Sequence, residues 1–414
     1  MKRLYLPLEQ LCSFRHGGTP SKARPAYWGG EIPWASPKDM KVSVLADTED
    51  HVTQLGIDQS AASIVPEGSI LVVARSGILS HSLPVSRAGR PLTFNQDIKA
   101  IQVTDARVTD DYVYWFLRSK EPEILSRGVK KGATVHSLQS KFLESLSIPI
   151  LSPNEQRRVV ELLSRAESIV RMRKEAAAKA KEFIPALFLD MFGDTSRNAR
   201  DGKQSVSTNG HRQRALGMVV RLGDVVEKFE GGKNLQAGGS GDSPFRILKI
   251  SAVTSGTYDE AESKPAPEGY SPPSHYIVRQ GDILFSRANT EELVGATAMV
   301  HQTNGKSLLP DKLWRLVWRD SKSISPVYML ALMQSRGIRG ELSKIASGTG
   351  GSMKNISQAK LAELRLSIAP IKEQRAFERH ADRMSSVVVS AERATEQASQ
   401  VFQSLLARVF GEGA

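Results

Sequence analysis

The sequence predicts an α/β (α+β) chain in which two similar globular units are separated by two long antiparallel coiled-coil helices, a pseudo-twofold internal repeat. Three observations predict it. An apolar seam occurs twice in one register, the two stretches share end-markers, and the segments before them repeat each other more loosely. The first seam is Val159, Leu162, Ala166, Ile169, Ala176, Ala180, Phe183 and Leu187, with steps alternating three and four and broken only at Arg173. That is the a/d spacing of a coiled coil. Adding 218 to each number gives Phe377, His380, Met384, Val387, Ala391, Ala394, Ala398, Val401 and Leu405. Both stretches begin with Glu-Gln-Arg (Glu155–Arg157, Glu373–Arg375) and end with Phe-Gly (Phe192–Gly193, Phe410–Gly411). Two unrelated amphipathic helices, each lying on its own domain, would not share those markers.

At 414 residues the chain is long enough for two or three domains with real cores. Its 56 Lys+Arg against 44 Asp+Glu give a net charge of +12, a balance that points to a polyanion, most commonly nucleic acid. One cysteine, Cys12, excludes an internal disulfide, a thiolate zinc site and an iron–sulfur cluster; its setting, Leu8-x-x-Leu11-Cys12, marks it as a small core residue. No apolar run follows the charged N-terminus and no window approaches 18 apolar residues. The expectation is a soluble cytoplasmic protein without a membrane partner.

Residues 1–151 read as the first unit. A short helix is expected around Pro7–Phe14, then the loop Gly17-Gly18-Thr19-Pro20-Ser21-Lys22. Tyr27–Trp34 is rich in breakers and reads as turns and short edge strands. Glu67-Gly68 turns into the strand Ser69–Ala74, and Lys99–Val103 forms another. Asp110-Asp111 are expected to cap a helix through Tyr112–Arg118. The basic loop Lys130-Lys131-Gly132-Ala133-Thr134 precedes a short helix near Ser137. The first long helix occupies 152–192, with Pro185 expected to kink its last turns. Residues 193–217, poor in aliphatics, read as a flexible basic linker. The second unit, 218–369, answers the first. Leu222–Gly232 matches Leu4–Gly18, Gly281–Leu284 matches Gly68–Leu71, and Ser347–Ser352 matches the basic loop. Ser325-Pro326 opens a helix with Pro at its first position. The second long helix fills 370–411.

Scaffolds alike and loops unlike suit two units reading different targets. A helix of some 34 residues extends about 50 Å at 1.5 Å per residue. On B-DNA that is on the order of 15 base pairs. Two basic readers held so would recognise a split site with an unread spacer.

The combination resembles the specificity subunit of type I restriction–modification systems across essentially the whole chain. The residues carrying the resemblance are Gly17–Lys22, Tyr27–Trp34, Ser36–Met40, the repeated Gly-x-Ile-Leu and the Glu-Gln-Arg helix starts. The resemblance implies two target-recognition domains, each reading half of a bipartite site in double-stranded DNA. It implies spacer helices that dock two methyltransferase (M) subunits, with motor–nuclease (R) subunits joining for cleavage. It also implies no catalysis and no cofactor in this chain, with S-adenosylmethionine, ATP and Mg in the partner subunits. The second unit departs from the pattern with Gly231-Gly232-Lys233-Asn234.

Phosphate contacts call for Lys, Arg, Ser, Thr and loop N–H groups, and base edges for side chains reaching the major groove. The candidates in the first unit are Lys22, Arg24, Lys38, Arg75, Ser76, Lys130, Lys131 and Thr134. In the second they are Lys233, Arg246, Lys249, Arg287, Asn289, Thr349, Ser352 and Lys354. Arg75 and Arg287 follow the recurrent strand at similar spacing and form the best pair.

Enzyme readings fit worse. Gly17–Lys22 lacks the Gly-Lys-Ser/Thr ending of a P-loop. Asp311 with Asp320-Ser321-Lys322 loosely fits a metal nuclease, but Asp97 is its counterpart in the first unit, where no acidic-x-Lys follows. Ser271-Pro272-Pro273-Ser274 lacks the aromatic an amino-methyltransferase needs to stack a flipped base. The eight histidines show no ligand spacing, so no metal site is expected. The remaining alternative is a coiled-coil scaffold whose basic domains bind protein or RNA without DNA sequence specificity.

Overall fold

A computed structural model describes residues 4–194, 217–235, 243–348 and 353–411. The chain divides into two compact units, one of residues 1–175 with 392–414 and the other of 176–391. Each unit therefore owns part of both long helices.

In the first unit a five-stranded sheet runs in the order Cys12–His16, Ile98–Val103, Ile70–Val73, Val85–Ala88, Val44–Leu45, antiparallel except at its last pair. Ile70–Val73 is central and buried on both faces, which its unbroken aliphatic run, β-branched at all but Leu71, suits. Trp28–Ala35 is a full strand between Asp50–Val52 and Thr93–Phe94 rather than a set of turns. A bulge between Trp28 and Ile32 absorbs Gly29-Gly30, with Gly29 at φ 76°. The helix expected at Pro7–Phe14 shrinks to one 3-10 turn, Leu8–Gln10, and Cys12–His16 becomes an edge strand. Near Ser137 the chain forms the strand His136–Leu138, and the helix begins only at Ser140. Helix Asp110–Ser119 is capped by Thr109, whose hydroxyl accepts from Tyr112 N. Asp110 and Asp111 sit instead in the first turn, where they complement the helix dipole.

The second unit repeats this plan. Val226–Gly231, Leu313–Trp318, Ile283–Ser286 and Thr297–Met299 form its main antiparallel sheet. Arg246–Leu248 lies between Ser263–Pro265 and Ser307–Leu308, as Trp28–Ala35 lies between its own neighbours. Helix Pro326–Gln334 is capped by Ser325. Inside this unit Arg315, 7% exposed, bonds Glu230 Oε2 (2.5 and 3.1 Å) and Asp282 Oδ2 (2.8 Å). Burial resists ionisation of Glu230, but the bonds from Arg315 and Lys228 outweigh it and hold the carboxyl below the usual range.

The long helices run Pro153–Phe192 and Ile371–Phe410, the first remaining helical through Pro185. In the first unit Leu163 shares a core with Phe402, Leu406 and Phe410; in the second Phe188 and Phe192 share one with Phe377 and Ala381. Early residues of one helix thus meet late residues of the other, the sense of an antiparallel pair. The seam register needs correction. Val159, Ala166, Ala180 and Leu187 face inward, as do Phe377, Met384, Ala391, Ala398 and Leu405, all at least half-buried. The intervening row does not: Leu162, Ile169, Phe183, Val387 and Val401 are 46–59% exposed, and Ala176 and His380 are exposed too. Ala394 is the exception in that row, half-buried like Val159 and Ala391. The inward row is one residue later, at Leu163, Val170, Ala177 and Ile184, and at Ala381, Val388, Thr395 and Phe402. The same slip occurs in both helices because each outward residue of the first helix has an apolar neighbour that a 3.5-residue period fits equally well. None of the described helices is long and apolar enough to cross a membrane.

Candidate nucleic-acid interface

In the first unit glycines let three loops converge. Gly18 N donates to Phe94 O (2.9 Å), Thr19 Oγ1 to Gln96 Oε1 (2.6 Å) and Trp34 Nε1 to Gly18 O (3.0 Å). A Cβ on Gly17 would fall 2.2 Å from Asn95 O, so only glycine permits this approach. The 95–97 turn in its turn holds Arg75. Ala74 N and Arg75 N donate to Asp97 O (2.7 and 3.1 Å), and Arg75 Nε donates to Asp97 Oδ1 (2.8 Å). The Arg75 side chain remains 57% exposed, oriented but reachable. Beside it, His136–Leu138 pairs with both Arg75–Ser76 and Val129–Lys130, which brings the tip of the basic hairpin alongside. Gly77 lies close under Thr134 O. Arg75, Ser76, Lys130, Lys131 and Thr134 therefore form one cluster, in which both lysines are exposed. Ser76 also caps the following 3-10 turn.

The other candidates of this unit stand differently. Lys22 lies 5.8 Å over the Trp28 ring, and Arg24 donates to Tyr27 Oη at 2.6 Å. They form a second, aromatic-backed basic patch. Lys38 bridges Glu49 (2.9 Å) and Asp50 (3.1 Å), so its charge is already matched.

The second unit rebuilds the first cluster. Gly232 N donates to Pro310 O (3.0 Å), and a Cβ there would meet Leu309 O at 1.7 Å. Arg287 N donates to Lys312 O and its Nε to Asp311 O (2.9 Å), with its guanidinium 3.8 Å from the Asp311 carboxylate and 5.5 Å over Trp314. Asp311 thus holds Arg287 through its backbone carbonyl, where Asp97 holds Arg75 with its carboxylate as well. Ala288–Asn289 pairs with Lys354–Asn355, and Asn355 bridges to Ser347, the counterpart of the hairpin in the first unit. Lys354 Nζ reaches Gly348 O and lies 3.6 Å from Glu291. Thr349 and Ser352 lie outside the described residues, as does most of the expected linker. Lys233 and Lys249 stand apart. With Lys264, Asp311 and Lys312 they rim a cavity of ≈ 390 Å³ floored by Ile247 and Leu248. Arg246 folds back on its own sheet, donating to Ser263 Oγ (2.8 Å) and Ser263 O (3.1 Å).

Sequence reasoning missed Gln96, Lys312 and Trp314. Lys312 carried a signal, since it directly follows the Asp that matches Asp97. Each cluster offers an arginine tethered beside a paired strand, joined in the first unit by the exposed Lys130 and Lys131 and in the second by Lys354, which lies beside Glu291; an arginine so held suits a phosphate contact or a base edge.

The family model described as "Type I restriction modification DNA specificity domain" matches residues 5–181. The specificity subunit of the Escherichia coli type I restriction enzyme EcoR124I/EcoR124II is 37% identical over 163 residues, 39% of this chain and 40% of that protein. The MjaIX specificity subunit of Methanocaldococcus jannaschii is 28% identical over 225 residues, 53% of this chain and 50% of that one. The chain thus spans half or less of these curated relatives. Over its full length it shares the fold of the S subunit from M. genitalium (TM-score 0.53, 12% identity, covering 100% of this chain and 97% of that one). It shares it also with a chain from a structural study of type I R-M assembly (TM-score 0.58, 15% identity, covering 98% and 96%).

Proposed function

We propose that this chain, which carries a type I restriction–modification DNA specificity domain in residues 5–181, is the non-catalytic specificity subunit of such a complex. Each unit reads one half of a bipartite site in double-stranded DNA, and the helix pair sets the unread spacer. The observation that carries this reading is the duplicated cluster: an arginine held by an aspartate beside a paired strand, Arg75–Asp97 and Arg287–Asp311, within loops that otherwise differ. Equivalent anchors with unlike surroundings suit two readers of unlike sequences.

The helices serve a second purpose. Leu162, Ile169 and Phe183 lie on one heptad row of the first helix and Val387 and Val401 on the matching row of the second, all exposed. Such a row seats the apolar face of a partner helix, and two methyltransferase subunits are the partners we assign to it, with motor–nuclease subunits joining for cleavage. S-adenosylmethionine, ATP and Mg belong to those partners.

The test is a map of methylated bases in the host genome with and without this gene. Loss of methylation at one bipartite motif on deletion is expected and gives both half-sites. An unchanged map, with the partner methyltransferase present and active, refutes the reading.

A further inference from the structure

The middle residue of each Glu-Gln-Arg marker is buried: Gln156 is 2% exposed and Gln374 1%. Each stands seven residues before the first apolar member of the inward row, Leu163 or Ala381, so a carboxamide occupies a core position at the root of each long helix. Gln156 Nε2 donates to Arg107 O (2.7 Å) and Leu151 O (3.0 Å), and its Oε1 accepts from Thr109 N (3.2 Å). Gln374 Nε2 donates to Ala369 O (2.7 Å), and its Oε1 accepts from Ser325 N (2.9 Å). Thr109 and Ser325 are the caps of the two buried helices. Those helices are tied in turn to the strand before the long helix, by Tyr112 Oη to Pro149 O (3.0 Å) and Tyr328 Oη to Ser367 O (3.3 Å). The same ring of bonds thus closes twice, around pairs of residues 216 or 218 apart in sequence.

An apolar side chain of that size would fill the space without fixing a direction. A buried amide must satisfy its donors and acceptor where the partners stand, and a polar residue in a coiled-coil core row characteristically specifies one arrangement at some cost in stability. Each helix has 40 residues, about 60 Å at 1.5 Å per residue. A 5° change at its root would move its far end by about 5 Å, more than the roughly 3.4 Å rise of one base pair. We infer that Gln156 and Gln374 are positioning residues that fix the exit direction of each long helix and so the spacing at which a split site is accepted. This rests on the function proposed above.

The test uses the full chain assembled with its methyltransferase partner. The substrates are plasmids carrying both half-sites at the natural spacing and at one base pair more or less. Wild type should prefer its own spacing by about tenfold or more, and Gln156→Met and Gln374→Met should reduce that preference to about threefold or less. Base preferences within each half-site should stay unchanged. Equal loss of methylation at all spacings, or an intact preference in both variants, overturns the inference. Gln156→Asn, which keeps the amide but shortens its reach, serves if Gln156→Met does not fold, and the same two results decide it. Absence of bipartite methylation by wild type fails the proposed function itself and the inference with it, in an arm that contains no variant.

Discussion

The core of the first unit is completed by residues from the far end of the chain, and Phe410→Ala tests this directly. Phe410 is 4% exposed, with its ring 5.3 Å from Tyr112 and 5.8 Å from Phe116. Truncating a buried phenylalanine costs about 3–5 kcal/mol, and its place at a helix end, where collapse is easier, favours about 3. A domain of this size loses roughly 2–4 °C of melting temperature per kcal/mol, so the first unit should melt about 6–12 °C lower. Deletion from Val401 onward also removes Phe402 and Leu406, which belong to the same core. The summed loss of about 8 kcal/mol falls within the roughly 5–15 kcal/mol that a domain typically has in total, enough to leave the unit largely unfolded. Hydrogen exchange read by mass spectrometry separates the units: protection should fall in Asp110–Ser119 and persist in Pro326–Gln334. The mirror substitution is Phe192→Ala, whose ring lies 5.0 Å from Tyr328; it should do the reverse. If Phe410→Ala loosens Pro326–Gln334 instead, or leaves Asp110–Ser119 as protected as before, the assignment of each helix end to its unit is wrong.

Three further outcomes are expected. Arg315→Met removes the cation that Glu230 and Asp282 share, leaving only Lys228 on Glu230, and chemical denaturation of the second unit should show a loss of about 3–5 kcal/mol. Because the folded-state pKa of Glu230 is depressed, the wild-type pair contributes fully above the unfolded carboxylate pKa of about 4.3 and loses that contribution as pH falls through the lower folded value; the variant, with only Lys228 left on Glu230, should show a smaller acid-side loss. Lys130→Ala with Lys131→Ala should weaken DNA binding by the assembled complex alike across sequences and lower the slope of log K against log salt by about 2, read by fluorescence anisotropy at several salt concentrations; an unchanged slope removes the hairpin from the interface. Leu162→Glu with Ile169→Glu, on exposed positions, should change stability by no more than about 0.5 kcal/mol each yet prevent co-purification with the methyltransferase subunit, and an intact complex would remove that row from the docking surface.

The internal repeat was legible because two kinds of signal coincide, a heptad period and identical short markers at a fixed offset. Which of two adjacent apolar rows turns inward was not. Leu162-Leu163, Ile169-Val170, Ala176-Ala177 and Phe183-Ile184 each offer an apolar side chain to either face, so period alone leaves the register open. The signal that decides it was present but polar. Gln156 begins the row that continues through Leu163, Val170, Ala177 and Ile184, and hydrophobicity alone passes over it. In the candidate interface Arg75 and Arg287 were readable from their common distance beyond a recurrent strand. The fates of Lys38 and Arg246 were not, because their partners Glu49, Asp50 and Ser263 lie more than ten residues away and come close only through strand pairing. Trp28–Ala35 misled for a local reason: its glycines and proline look like breakers, and a bulge accommodates the glycines within a central strand.

The cap that Phe402, Leu406 and Phe410 place on helix Asp110–Ser119 has a consequence for how the protein is made. The first unit to leave the ribosome is the last to be finished. At about 5–20 residues per second, roughly 15–60 s separate synthesis of Ser119 from that of Phe410, and through that interval the apolar surface of the helix must wait uncovered or be held by a chaperone. A chain cut short before Phe402 therefore lacks three of the side chains that complete the core of its own N-terminal domain, however complete that domain looks in sequence.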